Sequence, residues 1–138
     1  MISFFTEDVD YTLKDKLKIK RWIQQTVASE SKKTGDINII FCSDEYLLEV
    51  NKQYLDHDYY TDIITFNYNT DKINGDLFIS LDRIVDNANQ NNVPRETELL
   101  RVIIHGVLHL VGYNDKTAKE EKEIRAKEDS CIKNYQEL

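Results

Sequence analysis

At 138 residues the chain is long enough to bury a core of its own, and 41% hydrophobic with 31% charged residues is the balance of an ordinary globular protein, which excludes a disordered or low-complexity chain. A net charge of −7 argues against a general nucleic-acid coat, whose surface must be cationic to neutralise phosphates. Cys42 and Cys131 are far apart in sequence and have no CxxC partner, which fits two free thiols in a reducing cytoplasm.

The opening Met1 to Glu7 carries neither the basic nor the apolar region of a signal peptide, so export is not expected and the location is read as cytoplasmic. Ile2 to Phe5 reads as a first strand. Leu13, Leu17, Ile19, Trp22, Ile23 and Val27 recur at helical spacing and predict an amphipathic helix over residues 13 to 33, ended by Gly35. Between Lys14 and Lys33 seven basic residues stand against Asp15 and Glu30, a local excess of +5 in a chain of net −7. Such a strip is either a solvated helix face or a contact for an anionic partner. Ile37, Ile39 and Phe41 alternate as a strand. Ser43 then caps a second helix, with Asp44 and Glu45 in its first turn and Tyr46, Leu47, Val50 and Tyr54 on its buried side.

Asp62 to Tyr68 and Asp76 to Ser80 are rich in β-branched and aromatic residues and predict a hairpin whose turn contains Asn74-Gly75. A third helix runs from Ile84 to Asn92 and ends near Pro94, which is placed to start the next. From about Glu96 to Val111 the chain is apolar nearly all round. That predicts a central buried helix, too short and too charged to cross a membrane. Thr117 and Glu120 form a capping box that opens a charged surface helix reaching Lys133, with Glu121 and Arg125 at i,i+4 spacing. No repeat or linker interrupts residues 1–138. The expectation is a single α+β domain, with an about four-stranded mixed sheet packed with helices and the apolar helix at its centre.

That apolar helix carries His105 and His109, two of only three histidines in the chain. Positions i and i+4 share one helical face, so the two imidazoles either grip one cation or simply hydrogen-bond to backbone or to each other. Gly112 can end the helix and let Asp115 fold back as a third ligand. Two histidines and one carboxylate suit zinc and leave a fourth position for water, the pattern of a catalytic rather than a structural site. Zinc lowers the pKa of such a water to about 7 and polarises a bound oxygen, which serves hydrolysis of an ester, amide or phosphodiester. The HExxH helix of zinc proteases places its general base where this chain has Gly106, so that class is disfavoured. A glycine inside a helix suggests instead a close approach by another segment or by substrate.

The run His105-Gly106-Val107-Leu108-His109-Leu110-Val111-Gly112-Tyr113-Asn114-Asp115 resembles the H-G-x-L-H-L-x-G-Y-D-H signature of the YbeY family of bacterial endoribonucleases, departing at Asn114 and Asp115. Asn51 to Asp58 with Thr61-Asp62-Ile63-Ile64-Thr65-Phe66 is similar to that family's N-x-x-[WY]-R-x-K-D-x-P-T-[DN]-V-L-S-F, and Gly75-Asp76-Leu77-Phe78-Ile79-Ser80 to its G-D-I-x-I-S. The resemblance implies a zinc-dependent, single-strand-specific endoribonuclease that matures the 3′ end of 16S rRNA and takes part in ribosome quality control. Its partners would be single-stranded rRNA and the ribosome or ribosomal proteins, with no membrane. One zinc per chain would be held by His105, His109 and, in the place of a third histidine, Asp115.

Three further departures from the family pattern remove positive charge from the expected substrate cleft: Leu55 stands in the place of an arginine, His57 of a lysine and Tyr60 of a proline. No general base can be named, and the catalytic residues beyond the ligands remain unassigned. Asp62 and Asp76 either line the cleft or serve strand ends and turns, and Tyr113 either stacks on a base or packs in the core. Two other readings stand beside the leading one. One is a zinc-containing ribosome-assembly binding factor with weak or no cleavage. The other is a zinc hydrolase of peptides or small amides, which rests on the HxxxH helix alone.

Overall fold

The computed structural model describes residues 1–138. β1 (Ile2–Thr6) leads through α1 (Lys16–Ser29) to β2 (Thr34–Cys42), which returns parallel to it with Ile2 opposite Ile37. From β2 the chain passes α2 (Asp44–Leu55) and reaches β3 (Ile63–Asn67) at the sheet edge, then turns back antiparallel as β4 (Ile73–Ser80). β4 inserts beside β2 in parallel, giving a four-stranded mixed sheet in the order β1-β2-β4-β3. α3 (Leu81–Asn91), α4 (Arg95–Val111) and α5 (Ala118–Gln136) complete the α+β domain.

Alternation along the strands sends side chains to two unequal faces. Ile37, Ile39 and Phe41 of β2 and Leu77 and Ile79 of β4 join the main core with α1, α4 and α5. Cys42 and Ile64 face the smaller cluster, closed by Leu47 and Val50 of α2. α4 is the centre of the large face: Ile103, Ile104, Val107 and Leu108 are all 0% exposed. Each such side chain is worth ~1.5–3 kcal/mol of transfer free energy, so burial holds this helix far more firmly than propensity does.

The structure corrects several local expectations. α1 stops at Ser29, well before Gly35, because Ser31 adopts a left-handed conformation (φ 59°) and the Lys32 N–H donates to the Val27 carbonyl, closing the helix without a glycine. Leu17 points into solvent and Leu13 is buried ahead of the helix. The hairpin turn lies at residues 68–72, not at Asn74-Gly75. Asparagine side chains close it: the Asn69 N–H donates to Asn67 Oδ1 (2.9 Å) and the Asn74 N–H to Asn69 Oδ1 (2.8 Å). Gly75 is instead a strand residue beneath Leu110, where an added Cβ would lie 2.6 Å from the Phe66 carbonyl oxygen. Pro94 is the N-cap of α4 rather than its first helical residue. Tyr54 is exposed, with the edge of its ring against Phe66. The capping box of Thr117 and Glu120 and the Ser43 cap are present, but Arg125 turns to Glu128 (4.0 Å) instead of Glu121.

Candidate metal centre

His105 and His109 stand one turn apart near the C-terminal end of α4, on the side that faces β3. Gly112 ends the helix at φ 117°, a conformation that favours glycine, while the Gly112 and Tyr113 N–H groups donate to the carbonyls of His109 (3.1 Å) and Leu108 (3.0 Å). The β3–β4 turn braces the same end: Asn69 Nδ2 donates to the Leu110 carbonyl at 2.7 Å. The chain thereby reverses and carries Asp115 back over the two rings. His109 Nε2 lies 3.0 Å from His105 Nε2 and 3.3 Å from Asp115 Oδ2, and His105 Nε2 lies 3.5 Å from the same oxygen.

Three ligands on one tetrahedral ion with bonds of ~2.0–2.1 Å are separated by ~3.3–3.4 Å, so the triangle has the size and the donor set that zinc requires. These three residues could hold a metal ion. Of the plain alternatives, imidazoles satisfied by backbone do not describe the pair, whereas imidazoles that meet each other do, at 3.0 Å between their Nε2 atoms; the Asp115 carboxylate within 3.5 Å of both is what a ligand triad adds.

A fourth residue completes the surroundings of His105. Its Nδ1 lies 2.6 Å from Glu128 Oε2, and the other Glu128 oxygen accepts from Arg101 Nη1 at 3.0 Å. The Glu128 side chain is only 4% exposed. An Nδ1–H donated to this carboxylate leaves Nε2 as the free lone pair, facing His109 and Asp115. Burial opposes protonation of His105, but the Glu128 hydrogen bond and the charges of Glu128, Asp115 and Asp62 outweigh it and hold the imidazole above its ordinary pKa. Sequence reasoning missed Glu128. Two signals point to it: it occupies the buried stripe Ile124, Glu128, Cys131, Ile132 of α5, and the largely buried Arg101 of the central helix needs a carboxylate.

Clefts open on both sides of the triangle. One, about 400 Å³, is lined by Thr61, Thr65 and Asn67, and the other, about 540 Å³, by Glu98, Arg101 and α5; Asp62, Ile63, His105 and Asp115 line both. Asp62 accepts from Asn87 Nδ2 at 3.2 Å, and burial raises its pKa against the pull of His105 and nearby N–H groups. Gly106 accounts for the missing HExxH glutamate: a Cβ there would lie 2.7 Å from Ile63 Cδ1 and 2.9 Å from Leu77 Cδ2, so the sheet itself makes the close approach.

The remaining candidates lie outside both clefts. Asp76 accepts from Asn38 Nδ2 (3.0 Å) on the α2 side of the sheet. Tyr113 packs against the main core and donates its hydroxyl to Glu30 Oε1 at 2.7 Å, which favours its structural role. His57 is exposed beside the Tyr59 hydroxyl (2.9 Å), and Tyr60 donates to Glu45 Oε1 (2.7 Å).

The family model described as Endoribonuclease YbeY matches residues 2–136. The chain belongs to the YbeY family. The Endoribonuclease YbeY of Cytophaga hutchinsonii is 50% identical over 133 residues, covering 95% of this chain and 93% of that protein. The one from Phocaeicola vulgatus is 51% identical over 133 residues and covers 96% of each. Among solved structures, the solution structure of TM1509 from Thermotoga maritima superposes with a TM-score of 0.70 at 28% identity, over 98% of this chain and 89% of that one. Against the YbeY signature quoted above, this chain keeps both α4 histidines. Its Leu55, standing in the place of the arginine, is 40% exposed at the end of α2.

Proposed function

We propose that this YbeY chain is a zinc-dependent, single-strand-specific endoribonuclease that acts in 16S rRNA 3′-end maturation and ribosome quality control in the cytoplasm, with rRNA and ribosomal proteins as its partners. One zinc per chain would be held by His105, His109 and Asp115. The observation that carries this reading is the triangle of two imidazole nitrogens and one carboxylate oxygen, every edge between 3.0 and 3.5 Å, opening onto clefts on both sides. Zinc bound there would supply Lewis acidity toward a phosphodiester and an acidified water.

The chain's own residues set the conditions for that chemistry. Glu128 holds the Nδ1 proton of His105 and so keeps Nε2 available as a ligand. A carboxylate ligand in place of a third imidazole lowers the formal charge of the centre from +2 to +1, which makes it a weaker Lewis acid. Asp62 lines both clefts beside His105; no general base is assigned. Replacing all three ligands with alanine is expected to abolish zinc retention and RNA cleavage together, and a triple variant that still copurifies with zinc would overturn the site.

A second reading, a zinc-containing ribosome-assembly binding factor with weak cleavage, is favoured by one observation: an exposed leucine at position 55 where the family pattern has arginine. Cleavage rates of native protein and Leu55→Arg separate the two. Strong native activity supports the nuclease, and activity that emerges only with the arginine supports the binding factor.

A further inference from the structure

The basic strip of α1 has no part in the metal centre, and no residue of α1 lines either cleft. Lys16, Leu17 and Arg21 are exposed, and the helix contains no acidic residue. Neither these cations nor Lys14, Lys18, Lys20, Lys32 and Lys33 form an ion pair with any carboxylate of the chain. Glu30, the acid that ends the strip, is already engaged by the Tyr113 hydroxyl (2.7 Å) and by Lys127 (3.3 Å).

The arrangement works against the helix that carries it. Lys16, Lys18 and Lys20 crowd the first turns, where the helix dipole is positive, and Lys16 and Lys20 repel each other at i,i+4. Two of the ammonium groups are nonetheless held in place: Lys18 Nζ lies 4.2 Å from the centre of the Tyr135 ring and Lys20 Nζ 5.9 Å from that of Phe4. Positive charge that destabilises its own helix and is matched by no internal anion is complementary to an external one.

We propose that this face binds the phosphate backbone of the RNA substrate beyond the segment held at the metal centre, an inference that rests on the endoribonuclease reading. Charge favours it: five carboxylates and only three Lys or Arg line the larger cleft, so attraction for a polyanion must come from elsewhere. Position favours it as well. Glu30 at the end of α1 touches Tyr113, two residues before Asp115, and Lys32 and Lys33 follow at once. Lys32 and Lys33 therefore lie close in the chain to the residue that meets the metal-centre loop, while Lys16, Lys18, Lys20 and Arg21 occupy the opposite end of α1, with no cation between Arg21 and Lys32.

The test compares two substrates, a short single-stranded oligonucleotide and the same strand extended by a hairpin, for native protein, for Lys16→Gln/Lys20→Gln/Arg21→Gln and for Lys32→Gln/Lys33→Gln. With the extended RNA each variant should raise KM at least tenfold with kcat unchanged. The triple variant should also flatten the salt dependence of log KM by about three, one per lost cation. With the short strand KM should move less than twofold. The proposal is overturned, with the endoribonuclease reading intact, if native protein cleaves both RNAs and neither variant changes KM for the extended one. If native protein cleaves neither, both fall. Sedimentation with phosphatidylglycerol vesicles that the triple variant loses, while its KM for extended RNA is unchanged, would make the face a membrane contact and overturn the proposal.

Discussion

His105 uses both ring nitrogens, and the two uses depend on each other. Nδ1 meets Glu128 at 2.6 Å and Nε2 meets the other two ligand atoms, so whatever fixes the first orients the second. Glu128→Gln preserves shape and one acceptor but removes the charge shared with Arg101. Zinc affinity, measured by competition with a chromogenic chelator, should fall ~10–100-fold, and a change of less than twofold would contradict the role given to Glu128. Glu98 is 5% exposed and lines the larger cleft. Burial raises its pKa, Arg101 pulls it back in part, and the net direction is upward. A carboxyl whose folded pKa lies above its unfolded value favours folding below the ordinary carboxylate range and loses that contribution as pH rises through the raised value. Glu98→Gln should therefore stabilise the protein at neutral pH, with the gain shrinking as pH falls toward the ordinary carboxylate pKa. Denaturant titrations at both pH values measure it, and a gain independent of pH would contradict the assignment.

The elements were legible to the extent that their signals were local. α4 announced itself by an apolar run with a glycine stop, and α2 and α5 by their caps. The β3–β4 turn lies elsewhere than its sequence predicts because Asn74-Gly75 carries the sequence of a turn while Gly75 serves as a strand position that Leu110 covers. α1 ends earlier than its apolar spacing predicts because its closing residue is Ser31, a left-handed non-glycine that sequence does not mark. The two packed glycines give a graded test. At Gly106 an added methyl meets the ends of Ile63 and Leu77, which can yield, and alanine regains about 1 kcal/mol of helix propensity. At Gly75 it meets a backbone carbonyl as well as Leu110. Gly106→Ala should cost ~1–2 kcal/mol of unfolding free energy and Gly75→Ala clearly more; equal costs would contradict the packing described.

For the molecule as a whole, the site lies where α4, the β3 edge and α5 converge. His105, His109 and Asp115 could be read together because a single helix end and its glycine bring them within one short stretch of chain. Glu128 could not, because it arrives from α5 and only tertiary packing sets it behind His105. The charge asymmetry of the sequence also takes a position in space, with uncompensated cations on α1 and the carboxylates gathered around the metal centre. The central claim is that Asp115 completes a catalytic metal site in a chain without the family's arginine at position 55. Metal content and cleavage of single-stranded RNA, measured on native protein beside Asp115→Ala, test it most directly. The account predicts about one zinc per native chain and chelator-sensitive cleavage, with both lost or cut at least tenfold in the variant. An Asp115→Ala protein that keeps its zinc and cleaves at the native rate would contradict it.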